Sequence, residues 1–302
     1  MKLLTPIRSE KVWGYEDWIA STHKDGPQKD FIELVKDYPL LVKIIQADDT
    51  LSVQVHPDDK TAVELEGEGS RGKTECWYIL DCKKGAKLIA GLKDGCTKEQ
   101  ISDAIKNGTV SELMNSVEVK KGDFIFIPSG TVHAIGGGIR LMEVQQSCNI
   151  TYRLYDWGRP RELHIEKGVK SIKLEADTKD CFSDGKPFSF SPIEPLAQNF
   201  ECPYFSLVQK DFSGGYSFLA SKNEGYELLF VVNAEKLKAT GTASDGQKVL
   251  FESLKAEQIF AVSPGEKVTL EGKAKIIRIK AKSQTTRQTG GLNTAYKARF
   301  PS

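Results

Sequence analysis

Histidine is scarce in this chain of 302 residues: His23, His56, His133 and His164 are the only four, and all fall before residue 165. Chemistry that needs imidazole is therefore confined to the first part of the chain. Cysteine is thinly spread as well. Cys76, Cys82, Cys96, Cys148, Cys181 and Cys202 form no C-x-x-C pair and no dense framework, which excludes a disulfide scaffold and predicts free thiols in a reducing cytoplasm. No purely apolar run exceeds five residues, as in Leu228 to Val232, so no membrane span is expected. The first ten residues break off after two leucines and do not build the apolar stretch of a signal peptide. Excess charge is missing too: 42 Lys+Arg stand against 41 Asp+Glu, without a long basic block. That balance excludes a general affinity for polyanions, nucleic acid included.

What remains is the composition of an ordinary globular protein, 39% hydrophobic and 27% charged, long enough for two packed cores. Short runs rich in β-branched and aromatic residues dominate, among them 40–44, 51–55, 76–80, 87–90, 124–127 and 140–144, each bounded by Gly, Pro, Asp or Lys-Gly. They predict a mainly β protein, a sandwich or barrel. Helical patterns are confined to 30–36, 58–66 and a pair within 97–116, where Thr97 and Gln100 can form a capping box before Ile101, Ala104 and Ile105. This pair is expected as an insertion between strands. A stretch rich in Asp, Ser, Lys and Pro over 178–195 reads as a linker, and a second β unit begins near residue 185. The two units echo each other: 123–133 aligns with 258–268, and 75–80 with 227–232, as duplicated modules would. The last stretch, 283–302, is polar and basic apart from Tyr296 and Phe300, and is expected to pack little of itself.

The chemistry-bearing residues cluster in the first unit. Alternation over 51–56 places Ser52, Gln54 and His56 on one strand face and Leu51, Val53 and Val55 on the other. Glu75 opens a second strand, and His133 follows a Pro-Ser-Gly turn after a third. Gln54, His56, Glu75 and His133 offer two imidazoles, one carboxylate and one amide oxygen, a set that suits Zn²⁺ and also accommodates Fe²⁺ or Mn²⁺.

The order Q-x-H-P-D (54–58), Lys73-Thr74-Glu75 and G-D-x-x-x-x-P-S-G-x-x-H (122–133) resembles the two-part metal motif of the cupin superfamily, with Gln54 where many cupins have their first histidine. With Glu143 and Arg153 ten residues apart, the pattern from Trp13 to Arg159 is similar to the type I mannose-6-phosphate isomerases, in their short bacterial form. The resemblance implies two cupin-type jelly-roll β-barrel domains: a metal-binding catalytic one over 1–180 and a metal-free one over 181–302 with a C-terminal tail. It further implies one Zn²⁺ held by Gln54, His56, Glu75 and His133, and substrate contacts from Ser52, Lys73 and Arg153. The implied activity interconverts mannose 6-phosphate and fructose 6-phosphate, in a monomer or weak homodimer whose partner is a small sugar phosphate.

Such an isomerase moves a proton between C2 and C1 and holds an enediolate between the two steps. With Glu75 as its one anionic ligand, zinc keeps net positive charge for that anion. Arg153 can face the enediolate, which we favour, or the phosphate. Lys73 shares a strand face with Glu75, where a neighbouring cation is expected to lower its pKa, and it can bind phosphate or move protons. Glu143 is a second acid/base candidate. Two rival functions fit part of this pattern: a cupin dioxygenase using His56, Glu75 and His133 around iron, and a non-catalytic sugar-binding cupin.

Overall fold

Strands buried at nearly every position need cover on both faces, and Leu40–Ala47, Glu75–Cys82, Asp123–Ile127 and Ile139–Gln146 have it. The computed structural model describes residues 1–190 and 193–282. Residues 283–302, with Tyr296 and Phe300, lie outside the described residues.

The four strands lie within a seven-stranded antiparallel sheet ordered Glu194–Pro195, Asp123–Ile127, Glu75–Cys82, Ile139–Gln146, Leu40–Ala47, Gly14–Ala20, Ile7–Lys11. Their odd-numbered residues, such as Ile45, Trp77, Ile79, Ile125 and Leu141, pack against Leu88, Ala90 and Ile135 of a five-stranded sheet. That second sheet is ordered Tyr152–Tyr155, Val53–Val55, His133–Ile135, Lys87–Leu92, Met114–Glu118. The even-numbered residues, such as Val42, Cys76, Phe126 and Met142, face the other way, onto Phe200, Phe205, Leu228, Phe230 and Ile277 of a nine-stranded sheet built mostly by the second half of the chain. Helices Lys98–Lys106 and Ile165–Ser171 cover the outer side of the five-stranded sheet through Ile101, Ala104, Ile105 and Val169. The protein is mainly β, and among the described residues no sheet closes into a barrel.

The internal echo is visible in strand register. Glu75 lies opposite Ile127 as Glu227 lies opposite Val262, and Cys76 opposite Phe126 as Leu228 opposite Ala261. The halves also exchange short strands: Lys2–Leu3 pairs with Ile259–Val262, and Glu194–Pro195 pairs with Asp123–Ile127.

Several local expectations need adjustment. The helical insertion begins on the capping box of Thr97 and Gln100 but ends at Leu113, because Met114–Glu118 pairs with Lys87–Leu92 as a strand. The stretch read as a linker is structured: Phe182–Ser183 and Lys186–Pro187 form a hairpin, and Phe188 is buried against Phe126 and Phe200. Helix Ile165–Ser171 hides from propensity behind Gly168, where an added Cβ would meet Leu154 Cδ2 at 2.4 Å. All six cysteines are unpaired. No helix among the described residues is long and apolar enough to cross a membrane.

Candidate active site

Where the inner faces of the five- and seven-stranded sheets should be apolar throughout, one end carries charge instead. Lys43, Lys73, Glu75 and Glu143 are buried, at no more than 4% exposure each. Taking four charges out of water costs several kcal/mol per ion unless each finds a partner. The arrangement of partners therefore defines the site.

Glu75 starts its strand opposite Ile127, and Gln54 lies directly opposite both His133 and Arg153 in the five-stranded sheet. His56 follows immediately after Val53–Val55. Each imidazole is oriented from behind: His56 Nδ1 lies 2.9 Å from the Ile150 carbonyl and His133 Nδ1 2.9 Å from the Thr131 carbonyl. A carbonyl only accepts, so both Nδ1 atoms carry the proton and both Nε2 atoms present lone pairs. These point at Glu75, with His133 Nε2 3.4 Å from Oε1 and His56 Nε2 3.7 Å from Oε2. Burial pushes His133 down to about 4 and His56 well below its ordinary value, so both rings are neutral. Gln54 Nε2 sits 3.3 Å from His133 Nε2. A half-turn of that amide brings its oxygen to the same place.

Four lone-pair-bearing groups thus converge, and His56 Nε2 and both oxygens of Glu75 accept or donate no aligned hydrogen bond. The His56, Glu75 and His133 ligand atoms all lie within 4.8 Å of one another. Tetrahedral zinc with bonds near 2.1 Å separates its ligand atoms by about 3.4 Å, close to the spacings found here. The residues fit a divalent cation.

Beside this cluster lies an electrostatic chain. Lys73 Nζ is 2.9 Å from Glu75 Oε2 and 3.8 Å from Glu143 Oε1; Lys43 Nζ is 3.3 Å from Glu143 Oε1 and 3.7 Å from Glu16 Oε2. The Trp77 indole donates to Glu143 Oε2 at 3.0 Å, and its ring meets that of His133 edge-on. Burial would raise the Glu143 pKa, but the cations of Lys73 and Lys43 outweigh it and hold the carboxyl below its usual range. Burial and the Glu143 charge push Glu75 the other way, up to about 7. The expected lowering of the Lys73 pKa concerns the zinc-bound site, and without zinc the balance on Lys73 runs the other way. Burial opposes its charge, yet the carboxylates of Glu143 and Glu75 prevail and raise its pKa.

A cavity of about 300 Å³ opens onto these groups, lined by Trp13, Glu16, Lys43, Ser52, Gln54, Lys73, Glu143, Arg153 and Arg161 among others. Arg153 sits at its rim, donating from Nη1 to the Glu162 carbonyl while its buried Nε has no partner. Burial and the neighbouring Arg161 lower its pKa, which leaves an under-neutralised cation at the rim. The structure brings Ser52, Gln54, Lys73, Glu143 and Arg153 to one cavity, whose lining residues Gln54 and Lys73 touch His133 and Glu75 of the cluster behind it. Lys43 and Glu16 were not singled out in sequence, although a lysine inside Leu40-Leu-Val-Lys-Ile-Ile was a usable signal. His23 instead pairs with Asp25 on a separate polar pocket, and His164 Nδ1 accepts the Arg153 amide.

Comparison with known proteins places the chain among named relatives. The family described as phosphomannose isomerase type I, catalytic domain, matches residues 6–90. Mannose-6-phosphate isomerase ManA of Bacillus subtilis is 41% identical over 212 residues, covering 68% of this chain and 64% of that protein. The probable mannose-6-phosphate isomerase GmuF of the same organism is 36% identical over 259 residues, covering 71% of this chain and 81% of its own. The chain thus spans slightly under two thirds of the first relative and more of the second. The crystal structure of the mannose 6-phosphate isomerase from Bacillus subtilis superposes with a TM-score of 0.73 at 28% identity, covering 92% of this chain and 98% of that one. A mannose 6-phosphate isomerase bound with zinc and yttrium shares the fold, with a TM-score of 0.68 at 15% identity. This chain belongs to the type I mannose-6-phosphate isomerase family.

Proposed function

We propose that the chain is a zinc-dependent isomerase interconverting mannose 6-phosphate and fructose 6-phosphate, with one ion held by Gln54, His56, Glu75 and His133. The observation that carries the reading is the convergence of two imidazole lone pairs and a carboxylate without aligned hydrogen bonds in the protein interior. The Lys73 ammonium neutralises Glu75 from one side, but the imidazole lone pairs that face the same carboxylate are matched only by a cation between them. Bound zinc supplies a fixed positive charge beside the oxygens of the opened sugar.

The protein's own residues do the rest. Glu143 is ionised, and its Oε1, which lacks an aligned hydrogen bond, adjoins Lys43 and Lys73; it takes the proton from C2 and returns it to C1. As the C2–H bond breaks, its electron pair forms the C1–C2 double bond and the carbonyl electrons move onto oxygen. The Lys73 ammonium and the Arg153 guanidinium stabilise that negative charge, and Ser52 orients a sugar hydroxyl. The O2 proton passes to O1, the C2 carbonyl forms as the double-bond electrons take the proton back at C1 from Glu143, and the ketose is complete. The cations that line the cavity also suit a phosphate ester, and both they and the family favour an isomerase over an iron dioxygenase.

The chain is further read as two cupin-type β units divided near residue 180, in a reducing cytoplasm that keeps its six thiols free. The test of function combines elemental analysis of the native protein with a coupled assay for fructose 6-phosphate formed from mannose 6-phosphate. Iron-dependent oxygen consumption without isomerisation would overturn the assignment.

A further inference from the structure

One contact from the second half of the chain lies directly behind the site. Tyr204, just before strand Phe205–Leu219, donates its hydroxyl to Asp59 Oδ2 at 3.0 Å across 145 residues of sequence. The other oxygen of Asp59 accepts from the Gly72 amide at 2.9 Å and from Gln146 Nε2 at 3.0 Å. Gln146 in turn brackets Thr74: its Oε1 accepts the Thr74 amide at 2.9 Å, and its own amide donates to the Thr74 carbonyl at 3.1 Å. The Thr74 hydroxyl accepts the amide of Ser129, in the turn that leads to His133, at 3.2 Å. Thr74 stands between Lys73 and Glu75. Asp59 is three residues beyond His56, and Gln146 is three beyond Glu143.

The segments that carry Lys73, Glu75 and Glu143 are therefore tied to one carboxylate, which the second half of the chain holds from behind. Packing at Gly72 supports the same design. A Cβ there would lie 2.5 Å from the Asp58 carbonyl carbon and the Asp59 nitrogen, so the Gly72 and Asp59 backbones touch. None of these residues lines the cavity that receives substrate.

We infer that Tyr204, acting through Asp59 and Gln146, is a positioning residue that fixes the Lys73-Thr74-Glu75 segment in register with the two histidines, so that the second half of the chain tunes the metal site of the first. The inference rests on the metal reading above. Outer-shell partners of metal ligands typically change metal affinity or activity by about 10- to 100-fold when removed.

The variant is Tyr204→Phe, which keeps the ring and removes one hydroxyl. In the zinc-loaded protein, release of zinc to a chelator should accelerate about tenfold, and kcat should fall more than KM rises, because the change displaces reacting groups and not the phosphate contacts. In metal-free protein, hydrogen exchange at the Gly72 and Thr74 amides should quicken while amides of strand Phe205–Leu219 keep their protection. Gln146→Met should reproduce the pattern, and Tyr204→Trp should not rescue it. Zinc release, kcat and exchange at 72–76 all equal to the parent would overturn the inference. Faster exchange and zinc release in a chain whose parent shows no isomerisation would leave the positioning role standing and overturn the proposed function instead.

Discussion

Replacing Lys43 with methionine isolates the electrostatics of the site. The side chain keeps its volume and loses its charge, leaving Glu143 and Glu16 without their shared cation. At 3.3 Å and an effective dielectric of about 20, the Lys43–Glu143 attraction is about 5 kcal/mol. Lys73 remains 3.8 Å from the same carboxylate and offsets part of the loss, so a destabilisation of about 3 kcal/mol is expected, the lower end for breaking a buried pair from one side. For 302 residues that corresponds to a Tm about 5 °C lower. The sign with pH follows from Glu143. Its pKa in the folded protein is depressed, so it contributes stability above the unfolded carboxylate range and loses it as pH falls through the folded value. Without Lys43 that contribution shrinks, and the gap between parent and variant should be widest near neutrality and close under acid. Thermal melts from pH 4 to 8 would measure it, together with Lys43→Met/Glu143→Gln, in which most of the loss should be recovered. A single variant within about 1 kcal/mol of the parent, or a double variant whose loss equals the sum of the singles, would refute the reasoning.

Three further expectations concern the chemistry. Lys73→Ala and Glu143→Gln should each keep bound zinc yet lower kcat by at least about 100-fold in the coupled assay, since neither is placed among the four ligands; full activity in both would remove their catalytic roles. The raised pKa of Glu75 has the opposite linkage to that of Glu143. In metal-free protein it costs stability that appears as pH climbs from the ordinary carboxylate range to about 7, so Glu75→Gln should gain on the parent over that window. Melting curves of chelated samples that diverge the other way would contradict this. Arg153→Lys keeps the charge but loses the fork, and should reduce kcat/KM by about tenfold without altering zinc content, as metal analysis and steady-state kinetics would show.

Much of the site was legible because its spacing carried meaning. Period two placed Gln54 and Ser52 on one strand face, and Glu75 and His133 announced themselves at a strand start and after a Pro-Ser-Gly turn. Lys43 was overlooked because it sits inside a run that reads as ordinary strand, and Glu16 because its charged segment does not read as a strand; Lys43 is buried because its sheet is covered on both faces. The link from Tyr204 to Asp59 joins positions no local pattern connects. Fold class was readable from β-rich punctuation, whereas strand lengths were not. Phe205–Leu219 and Glu227–Thr242 continue through Gly214-Gly215 and past Asn233, where the pattern breaks, because pairing with Lys267–Ala281 continues through both places. Strands Ile7–Lys11 and Gly14–Ala20 carry too many charges to read as strands; Gly14–Ala20 forms on the edge of Leu40–Ala47, and Ile7–Lys11 on the edge of Gly14–Ala20.

The central claim is a cation gripped by Gln54, His56, Glu75 and His133. Anomalous scattering at the zinc absorption edge from crystals of the native protein tests it most directly. One strong peak per chain is expected, bonded to all four side chains and absent in His133→Ala. A map without a peak between those side chains, from protein that still isomerises mannose 6-phosphate, would contradict it.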